Sequence, residues 1–216
     1  MTAANVSEAI VERGITEIIH FTTVSGLIGI LTSGKLLAHS ELPNNIHLSH
    51  ICKINCPDRS RDIDWHSYVN LSITRPNGSL FKLSRNKWHA DDDIFWCILS
   101  FSPIIMTHPG VIFSTTNNAY ALTKRAPDVE GLESLFAPKV RLFATKWASR
   151  TRSSISSHTT CNQAEVLYPS AVSIEHLQFV YLYSDENYHE VEAQIGVCAP
   201  HLMGKIKLIV APDLFS

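Results

Sequence analysis

Short apolar or alternating runs, each bounded by turn-forming residues, recur through this 216-residue chain and constrain its fold most strongly. Runs of this length that are rich in β-branched and aromatic residues are typical of strands. They do not alternate regularly with helical segments, so the pattern favours an α+β fold with a strand-dominated core over a βαβ repeat. The runs predicted as strands are Ile15–Phe21, Tyr68–Ile73, Phe95–Phe101, Gly110–Ser114, Glu165–Tyr168, Phe179–Tyr183 and Ile206–Val210.

A smaller set of segments has helical spacing. The segment from Asn5 to Arg13 predicts a short helix that Gly14 ends. Apolar residues then recur at helical spacing between Leu27 and Leu31, and Gly34 is well placed as the C-terminal cap. Two further helices are predicted, at Val129–Phe136 and Asn187–Gln194.

The composition indicates one domain, residues 1–216, in a cytoplasmic protein. Hydrophobic residues make up 45% of the chain, which is enough for a sizeable core, and the formal net charge is −2. No run of about 18 apolar residues is present, so no membrane span is expected. The five cysteines are odd in number and scattered, so free thiols are expected rather than a disulfide framework.

Signature motifs of several enzyme classes are absent. The chain has neither a complete G-x-x-x-x-G-K-[ST] loop nor a G-x-G-x-x-G turn, which argues against a P-loop or Rossmann site. G-x-S-x-G is absent as well, which argues against an ordinary α/β-hydrolase, and H-E-x-x-H does not occur either.

The segment from His39 to Trp65 is polar and irregular and predicts a long functional loop, with one helical turn at Ser49–Asn55. The spacing of its possible zinc ligands, His-x2-His-x-Cys-x3-Cys, matches no common zinc finger, so no metal is expected. Arg59 and Arg61 end the loop, where they can clamp phosphates or simply pair with neighbouring aspartates. The possible zinc ligands are His47, His50, Cys52 and Cys56.

A basic stretch precedes Glu165, and no acidic residue lies between Glu133 and Glu165. Its basic side chains are interleaved with Phe143 and Trp147, and it ends in a Ser/Thr-rich segment. This combination fits a phosphate backbone with stacked bases, or equally a solvated helix face followed by a surface loop. The basic residues are Lys139, Arg141, Lys146, Arg150 and Arg152.

Two short segments are candidates for the chemistry of the chain. Glu165 begins an apolar strand, where a carboxylate is costly unless it is paired or used, so it predicts either a catalytic group or an edge-strand salt bridge. His20 and Thr22 lie two apart on a strand and therefore share one face, from which both can bind a carboxamide or a ribose hydroxyl. A purely structural histidine is the alternative interpretation.

In this order, these pieces resemble the DarT family of DNA ADP-ribosyltransferase toxins. IIHFTTVSGLIGILTSGKLLAH (Ile18–His39) is similar to the family's opening strand, helix and turn, with a His-x-Thr signature for NAD⁺. HSYVNLSI (His66–Ile73) resembles the strand after the first long loop, and GVIFSTTNNAYALTKR (Gly110–Arg125) resembles the V-x-F-[ST]-x-x-N region. NQAEVLYPSAVSIEHLQFVYLY (Asn162–Tyr183) is similar to the Q-A-E catalytic strand.

The resemblance implies a core of two packed, mainly antiparallel sheets with peripheral helices, and NAD⁺ as a substrate. It implies that Glu165 is the catalytic glutamate, with Arg61 as the favoured arginine partner and Arg59 as the second choice. The residues implied to bind NAD⁺ are His20, Phe21, Thr22, Gly29, Leu37 and Tyr68. Those implied to hold single-stranded DNA are Lys139, Arg141, Lys146, Trp147, Arg150 and Arg152.

The chain departs from the family pattern in two places. When the match is continued without gaps from Ser49-His50-Ile51, Lys53 or Asn55 falls where the family has an arginine. The strand YVNLSI also differs from the YVPFYF-like strand of the thymidine-modifying branch. The second difference favours guanine as the modified base. A toxin of this family also implies an antitoxin that removes ADP-ribose. The alternatives are RNA or protein as the acceptor, or a non-catalytic nucleic-acid-binding module.

Overall fold

A helix capped at both ends opens the part of the chain that the computed structural model describes, which comprises residues 3–42, 59–90 and 94–215. The Asn5 side chain accepts a hydrogen bond from the backbone N–H of Glu8, and Gly14 ends the helix at φ 66°. Glycine adopts this left-handed conformation without the steric cost of a Cβ. The predicted first helix and its end are therefore confirmed. The helices are α1 Val6–Arg13, α2 Val24–Ser33, α3 Gly78–Leu83, α4 Asp128–Ser134 and α5 Tyr188–Cys198.

The strands form one large sheet and two small ones. The large sheet has eight strands in the order β12-β11-β4-β1-β3-β9-β5-β6, and each small sheet has two, β2 with β10 and β7 with β8. All pairs are antiparallel except β11 with β12. The strands are β1 Ile18–Thr23, β2 Lys35–Leu37, β3 Tyr68–Ile73, β4 Trp96–Phe101, β5 Ile112–Ser114, β6 Arg125–Ala126, β7 Lys139–Arg141, β8 Trp147–Ser149, β9 Glu165–Pro169, β10 Ala171–Ser173, β11 Leu177–Leu182 and β12 Lys207–Val210.

The large sheet divides between β1 and β3. These strands are in register at Ile18 with Ile73 and at Ile19 with Ser72, whereas β1 pairs with β4 along its whole length. Past Ile19 the two strands no longer form a ladder, so the sheet opens between them. The α+β class with a mainly antiparallel core is confirmed. The two expected sheets take the form of two halves of one sheet, joined where β1 meets β3.

The core lies on both faces of this sheet. All six residues of β4 are buried, as expected for a strand covered on both sides. One face packs against the helices α1, α2, α4 and α5, whose buried apolar residues belong to the larger core cluster. The other face holds a smaller aromatic cluster, in which the rings of Phe21, Phe81 and Trp96 meet edge to face or tilted.

The predicted helices and strands differ from the observed ones at their ends, whereas β2, β6, β7, β8, β10 and α3 were not predicted. β1 begins at Ile18 rather than Ile15, because the N–H of Ile15 still bonds to the carbonyl of Ile10 in the cap of α1. The segment Ser60–Trp65, predicted as the end of a loop, forms 3₁₀ turns. The predicted turn at Ser49–Asn55 and the four possible zinc ligands lie outside the described residues. None of the described helices has both the length and the apolar character that crossing a membrane requires.

Candidate active site

A cavity of about 640 Å³ opens where β1 and β3 separate. Its walls come from these two strands, from α2 and β2, and from the segment that follows β5. Every residue that the sequence predicted for catalysis or for NAD⁺ binding lines this one cavity. They are Glu165, Arg59, Arg61, His20, Phe21, Thr22, Gly29, Leu37 and Tyr68.

Glu165 is the first residue of β9, and only 5% of its surface is exposed. Its Oε2 atom accepts hydrogen bonds from the backbone N–H of Asn118 at 2.7 Å and from Nδ2 of Asn70 at 3.2 Å. Burial raises the pKa of the carboxyl to about 7, while these two hydrogen bonds oppose the rise by stabilising the charged form. Glu165 can therefore exchange a proton near neutral pH, which suits it to acid–base chemistry.

The edge-strand salt bridge is not what the structure shows for Glu165. β9 lies inside the sheet between β3 and β5. Among the described residues, Glu165 has hydrogen-bond donors and no ion pair. A buried carboxylate that neutral donors hold in place is a common arrangement at catalytic sites.

Asn70, on β3, connects the carboxylate to Arg59. The guanidinium of Arg59 donates from Nη2 to Oδ1 of Asn70 at 3.2 Å and also forms an ion pair with Asp62. Because Oδ1 accepts from the arginine, the amide nitrogen of Asn70 is turned towards Glu165. The backbone carbonyl of Arg59 is in turn within 3.1 Å of Nε2 of His66.

The two candidate arginines therefore occupy different positions. Arg59 is half-buried and engaged with Asp62 and Asn70, whereas Arg61 is exposed and lines the cavity wall. Arg59 is linked to the carboxylate through Asn70, and Arg61 is an exposed residue of the cavity wall. The sequence alone did not separate these two roles.

His20 bridges the gap between the two halves of the sheet. Its Nδ1 lies 3.1 Å from the carbonyl oxygen of Asn70, at the place where the backbone ladder between β1 and β3 has ended. A carbonyl only accepts, so Nδ1 carries the proton and Nε2 is an acceptor nitrogen. Burial lowers the pKa of His20 to about 4, and the imidazole is therefore neutral at physiological pH.

Thr22 and Phe21 fix the end of β1 beside α2. Phe21 packs against Phe81 and Trp96, while Thr22 is buried next to Gly26. A Cβ added at Gly26 would lie 2.2 Å from Oγ1 of Thr22. The first turn of α2 therefore needs glycine here to approach Thr22 closely.

Residues 115–124 contact Glu165 through Asn118, and the sequence did not predict this role. The guanidinium of Arg125 donates to both Oδ1 and the backbone carbonyl of Asn118, and it lies over the ring of Trp65 at 5.1 Å. The V-x-F-[ST]-x-x-N motif marked this region and ends at Asn117. The contact to Glu165 comes from the next residue through its backbone, which a side-chain motif does not reveal.

A family model described as "DarT: ssDNA thymidine ADP-ribosyltransferase, DarT" matches residues 19–216. The chain belongs to the DarT family. The expectation drawn from its motifs is thereby confirmed, and so is its class as an NAD-dependent enzyme that modifies single-stranded DNA. Among curated proteins, no sequence matches the chain.

Solved DarT structures share this fold. Thermus sp. 2.9 DarT in complex with carba-NAD⁺ superposes with a TM-score of 0.64 at 18% identity, covering 93% of this chain and 98% of that one. The same protein in complex with ADP-ribosylated ssDNA gives a TM-score of 0.58 at 19% identity, with coverage of 94% and 97%. Thermosipho africanus DarTG in complex with ADP-ribose gives 0.60 at 16% identity, covering 93% of this chain and 51% of that one.

In this DarT-family chain, the basic stretch forms the hairpin of β7 and β8 beside the cavity. Arg141 lies 6.0 Å over the ring of Trp147, and Lys146 lies 5.1 Å over the ring of Phe143. The Phe143 ring in turn contacts Tyr120 at 5.6 Å, and Tyr120 lines the cavity. The hairpin thus presents exposed charges and rings next to the cavity.

Two arginines follow the hairpin and differ in their contacts. Arg150 donates to the carbonyls of Ile155, Ser156 and His158 and lies over the ring of Phe136, so it holds the Ser/Thr-rich loop in place. Arg152 is exposed. None of the six residues predicted to bind DNA lines the cavity itself.

Proposed function

We propose that this protein transfers ADP-ribose from NAD⁺ to guanine in single-stranded DNA and acts as the toxin of a toxin–antitoxin pair. The observation that carries the proposal is the buried Glu165 carboxylate, with a pKa of about 7, inside a cavity of about 640 Å³. That volume lies within the range of small-molecule and cofactor sites. The Thermus protein of the same family binds NAD⁺ and carba-NAD⁺.

The chemistry follows from the bond that breaks. Nicotinamide leaves as a neutral group from its positively charged glycosidic linkage, and the ribose develops oxocarbenium character. A carboxylate beside that ribose stabilises the developing charge and holds a hydroxyl. Oε2 of Glu165 already accepts two hydrogen bonds, whereas Oε1 accepts none from the described residues. Oε1 is therefore the atom that would bind the ribose hydroxyl or take a proton from the attacking base.

The other cavity residues supply positioning. The neutral His20 can accept at Nε2 from a carboxamide N–H or a ribose hydroxyl, and Thr22 lies on the same strand face. Arg61 is suited to the pyrophosphate because it is an exposed arginine of the cavity lining, while Gly29, Leu37 and Tyr68 complete the walls. Holding both reactants in one geometry lowers the entropic part of the barrier.

Guanine is favoured by the residue next to the catalytic group. In the strand YVNLSI the third residue is Asn70, whereas the YVPFYF-like strand of the thymidine-modifying branch has proline at that position. Asn70 donates directly to Glu165. A proline at that position has no side-chain donor, so the carboxylate of this chain has a different partner. The family description names thymidine, which makes thymine the competing acceptor.

Oligonucleotides that lack one base at a time test the acceptor. The purified protein is incubated with NAD⁺ and short single strands that lack guanine or lack thymine, and intact masses are measured. We expect an ADP-ribose adduct on every strand that contains guanine and none on the strand without it. An adduct confined to strands with thymine would overturn the base assignment, and one found only on RNA or protein would overturn DNA as the substrate.

The toxin role implies a partner that reverses the modification, and placement in the cytoplasm. The proposed partner is an ADP-ribosyl hydrolase, and the DarTG relative of this family was solved with ADP-ribose. Induced expression is expected to stop growth, with no effect for Glu165→Gln. Normal growth despite an active, soluble enzyme would contradict the toxin role.

A further inference from the structure

An arginine stands behind each of the two donors to the Glu165 carboxylate. Arg59 donates to the side chain of Asn70, which donates to Oε2 of Glu165. Arg125 donates to Asn118, whose backbone N–H donates to the same oxygen. The first arginine belongs to the predicted site, whereas Arg125 does not line the cavity and has no assigned part in the reaction.

The sheet register places Arg125 and Glu165 in one row. Ser114 of β5 is paired with Glu165 of β9 on one side and with Arg125 of β6 on the other. Residues directly opposite one another in an antiparallel sheet project from the same face. The side chains of Arg125 and Glu165 therefore share a face two strands apart, with Asn118 between them.

The contacts of Arg125 require a guanidinium. Two of its nitrogens donate to two acceptors of one residue, the Oδ1 and the backbone carbonyl of Asn118. A lysine has a single nitrogen and cannot reproduce this forked geometry. The ring of Trp65 covers the guanidinium at 5.1 Å, which adds a cation–π contact and limits its exposure to water.

We propose that Arg125 is a positioning residue that fixes the catalytic carboxylate by clamping Asn118 so that its backbone N–H points at Oε2 of Glu165. The Glu165 carboxylate raises the pKa of Arg125 against the effect of burial, and the same attraction favours the ionised form of Glu165. The charge of Arg59 acts on Glu165 in the same direction, and that of Asp62 acts against it. The effect on catalysis rests on the proposed ADP-ribosyl transfer. The effect on the ionisation of Glu165 does not.

Three variants isolate this role: Arg125→Gln, Arg125→Lys and, as a matched control, Lys124→Gln. Lys124 precedes Arg125 in the chain and is exposed, and its hydrogen bonds with Thr115 use only its backbone. The control therefore removes the same unit of charge without touching Asn118. Each variant is measured for thermal stability, for kcat and KM with NAD⁺ across pH, and for the ionisation of Glu165 by infrared titration with Glu165→Gln as the reference.

We expect Arg125→Gln to lower kcat by about 10- to 100-fold, the usual scale for a misplaced catalytic group. KM for NAD⁺ should stay within about twofold of the wild-type value, since the residues proposed to bind NAD⁺ are unchanged. The ionisation of Glu165 and the acid limb of kcat should both move to higher pH, because a positive charge and a fixed donor are lost. Arg125→Lys should show a smaller shift in the same direction, and Lys124→Gln should match the wild type.

An unchanged Glu165 titration in folded Arg125→Gln would overturn the proposal. If Arg125→Gln does not fold, the folded Arg125→Lys protein decides: a wild-type kcat and titration there would show that Arg125 only stabilises the fold. If the wild type transfers no ADP-ribose, the proposed function fails. The infrared titration still tests the link between Arg125 and Glu165 in that case.

Discussion

The backbone N–H of Asn118 lies 2.7 Å from Oε2 of Glu165, and this contact joins two parts of the chain that are 47 residues apart. It satisfies one acceptor site of a carboxyl group that burial would otherwise keep protonated. This donor is a main-chain group, so changing the side chain of Asn118 does not remove it. Several expected outcomes follow from the balance between burial and hydrogen bonding at this group.

Replacing Glu165 by Gln should abolish transfer and stabilise the fold at neutral pH. Burial raises the folded pKa from 4.5 to about 7, so the folded state prefers the protonated carboxyl. The associated stability is fully present below pH 4.5 and is lost as the pH rises through 7. Glutamine has no such loss, so its advantage over the wild type should grow to about 3 kcal/mol above pH 7.

Unfolding in denaturant from pH 4 to 8 measures this difference, with Glu186→Gln as the control because Glu186 is exposed and does not line the cavity. A stability gap between Glu165→Gln and the wild type that does not change with pH would contradict the raised pKa. Transfer should fall by at least about 10³-fold, the scale seen when a group essential to the transition state is removed.

The Asn70→Asp variant should reach its highest activity at a higher pH than the wild type. It places a second carboxylate at the position of Nδ2, which is 3.2 Å from Oε2 of Glu165. Like charges at this distance raise the pKa of one member of the pair, so less of Glu165 is ionised at neutral pH. We expect kcat near pH 7 to fall by about 10- to 100-fold and to recover partly at alkaline pH.

Steady-state rates from pH 6 to 9 test the Asn70 prediction. The matched control is Asn86→Asp, which makes the same chemical change at an exposed residue. A uniform loss of activity at all pH values would show that Asn70→Asp acts by disturbing β3 rather than by changing the ionisation of Glu165.

His20 should make the folded state sensitive to acid. Its folded pKa is about 4, against an ordinary value of 6.5 for histidine, because burial disfavours the charged ring. A group with a lowered folded pKa contributes stability above pH 6.5 that is lost as the pH falls through 4. Replacing His20 by Gln should therefore flatten the decline in thermal stability between these values, and KM for NAD⁺ should rise by about 10-fold as a hydrogen bond to the substrate is lost.

If the melting temperature of His20→Gln falls with acid pH as steeply as that of the wild type, the His20 prediction is wrong. The control is His189→Gln, because His189 is exposed and lies on α5.

The sequence predicted the parts of this site that are local in the chain. His20 and Thr22 share a strand face by simple alternation, and Glu165 was conspicuous as a carboxylate at the start of an apolar strand. Arg59 and Arg61 could not be ranked, because the difference between them is whether Asp62 and Asn70 bind the guanidinium. That difference depends on how the chain before β3 packs and not on its pattern of residue types.

The rest of the site depends on contacts between distant segments. Asn118 reaches Glu165 because β9 pairs with β5, and Arg125 reaches Asn118 because β5 also pairs with β6. Among the strands that the sequence did not predict, β6 has two residues and β2, β7, β8 and β10 have three each, which is below the length at which alternation predicts a strand. Helix α3 was missed for the same reason, since it spans six residues.

The β7–β8 hairpin should govern binding of DNA without affecting NAD⁺. Arg141 and Lys146 each lie over an exposed ring, so this surface can pair with phosphates and stack with bases. We expect Trp147→Ala to raise KM for the oligonucleotide by about 10-fold, the scale of one base–aromatic stack. Changing Arg141 or Lys146 to Gln should lower the slope of log K against log salt by about 0.7 each.

Fluorescence anisotropy of a labelled single strand, titrated at several salt concentrations, measures both effects. Lys205→Gln is the control, because Lys205 is exposed and lies outside the hairpin and the cavity. Arg150→Gln is expected to differ from the hairpin variants and lower thermal stability, since its guanidinium bonds to three loop carbonyls. Hairpin variants with the salt slope of the wild type would show that the DNA binds elsewhere on the protein.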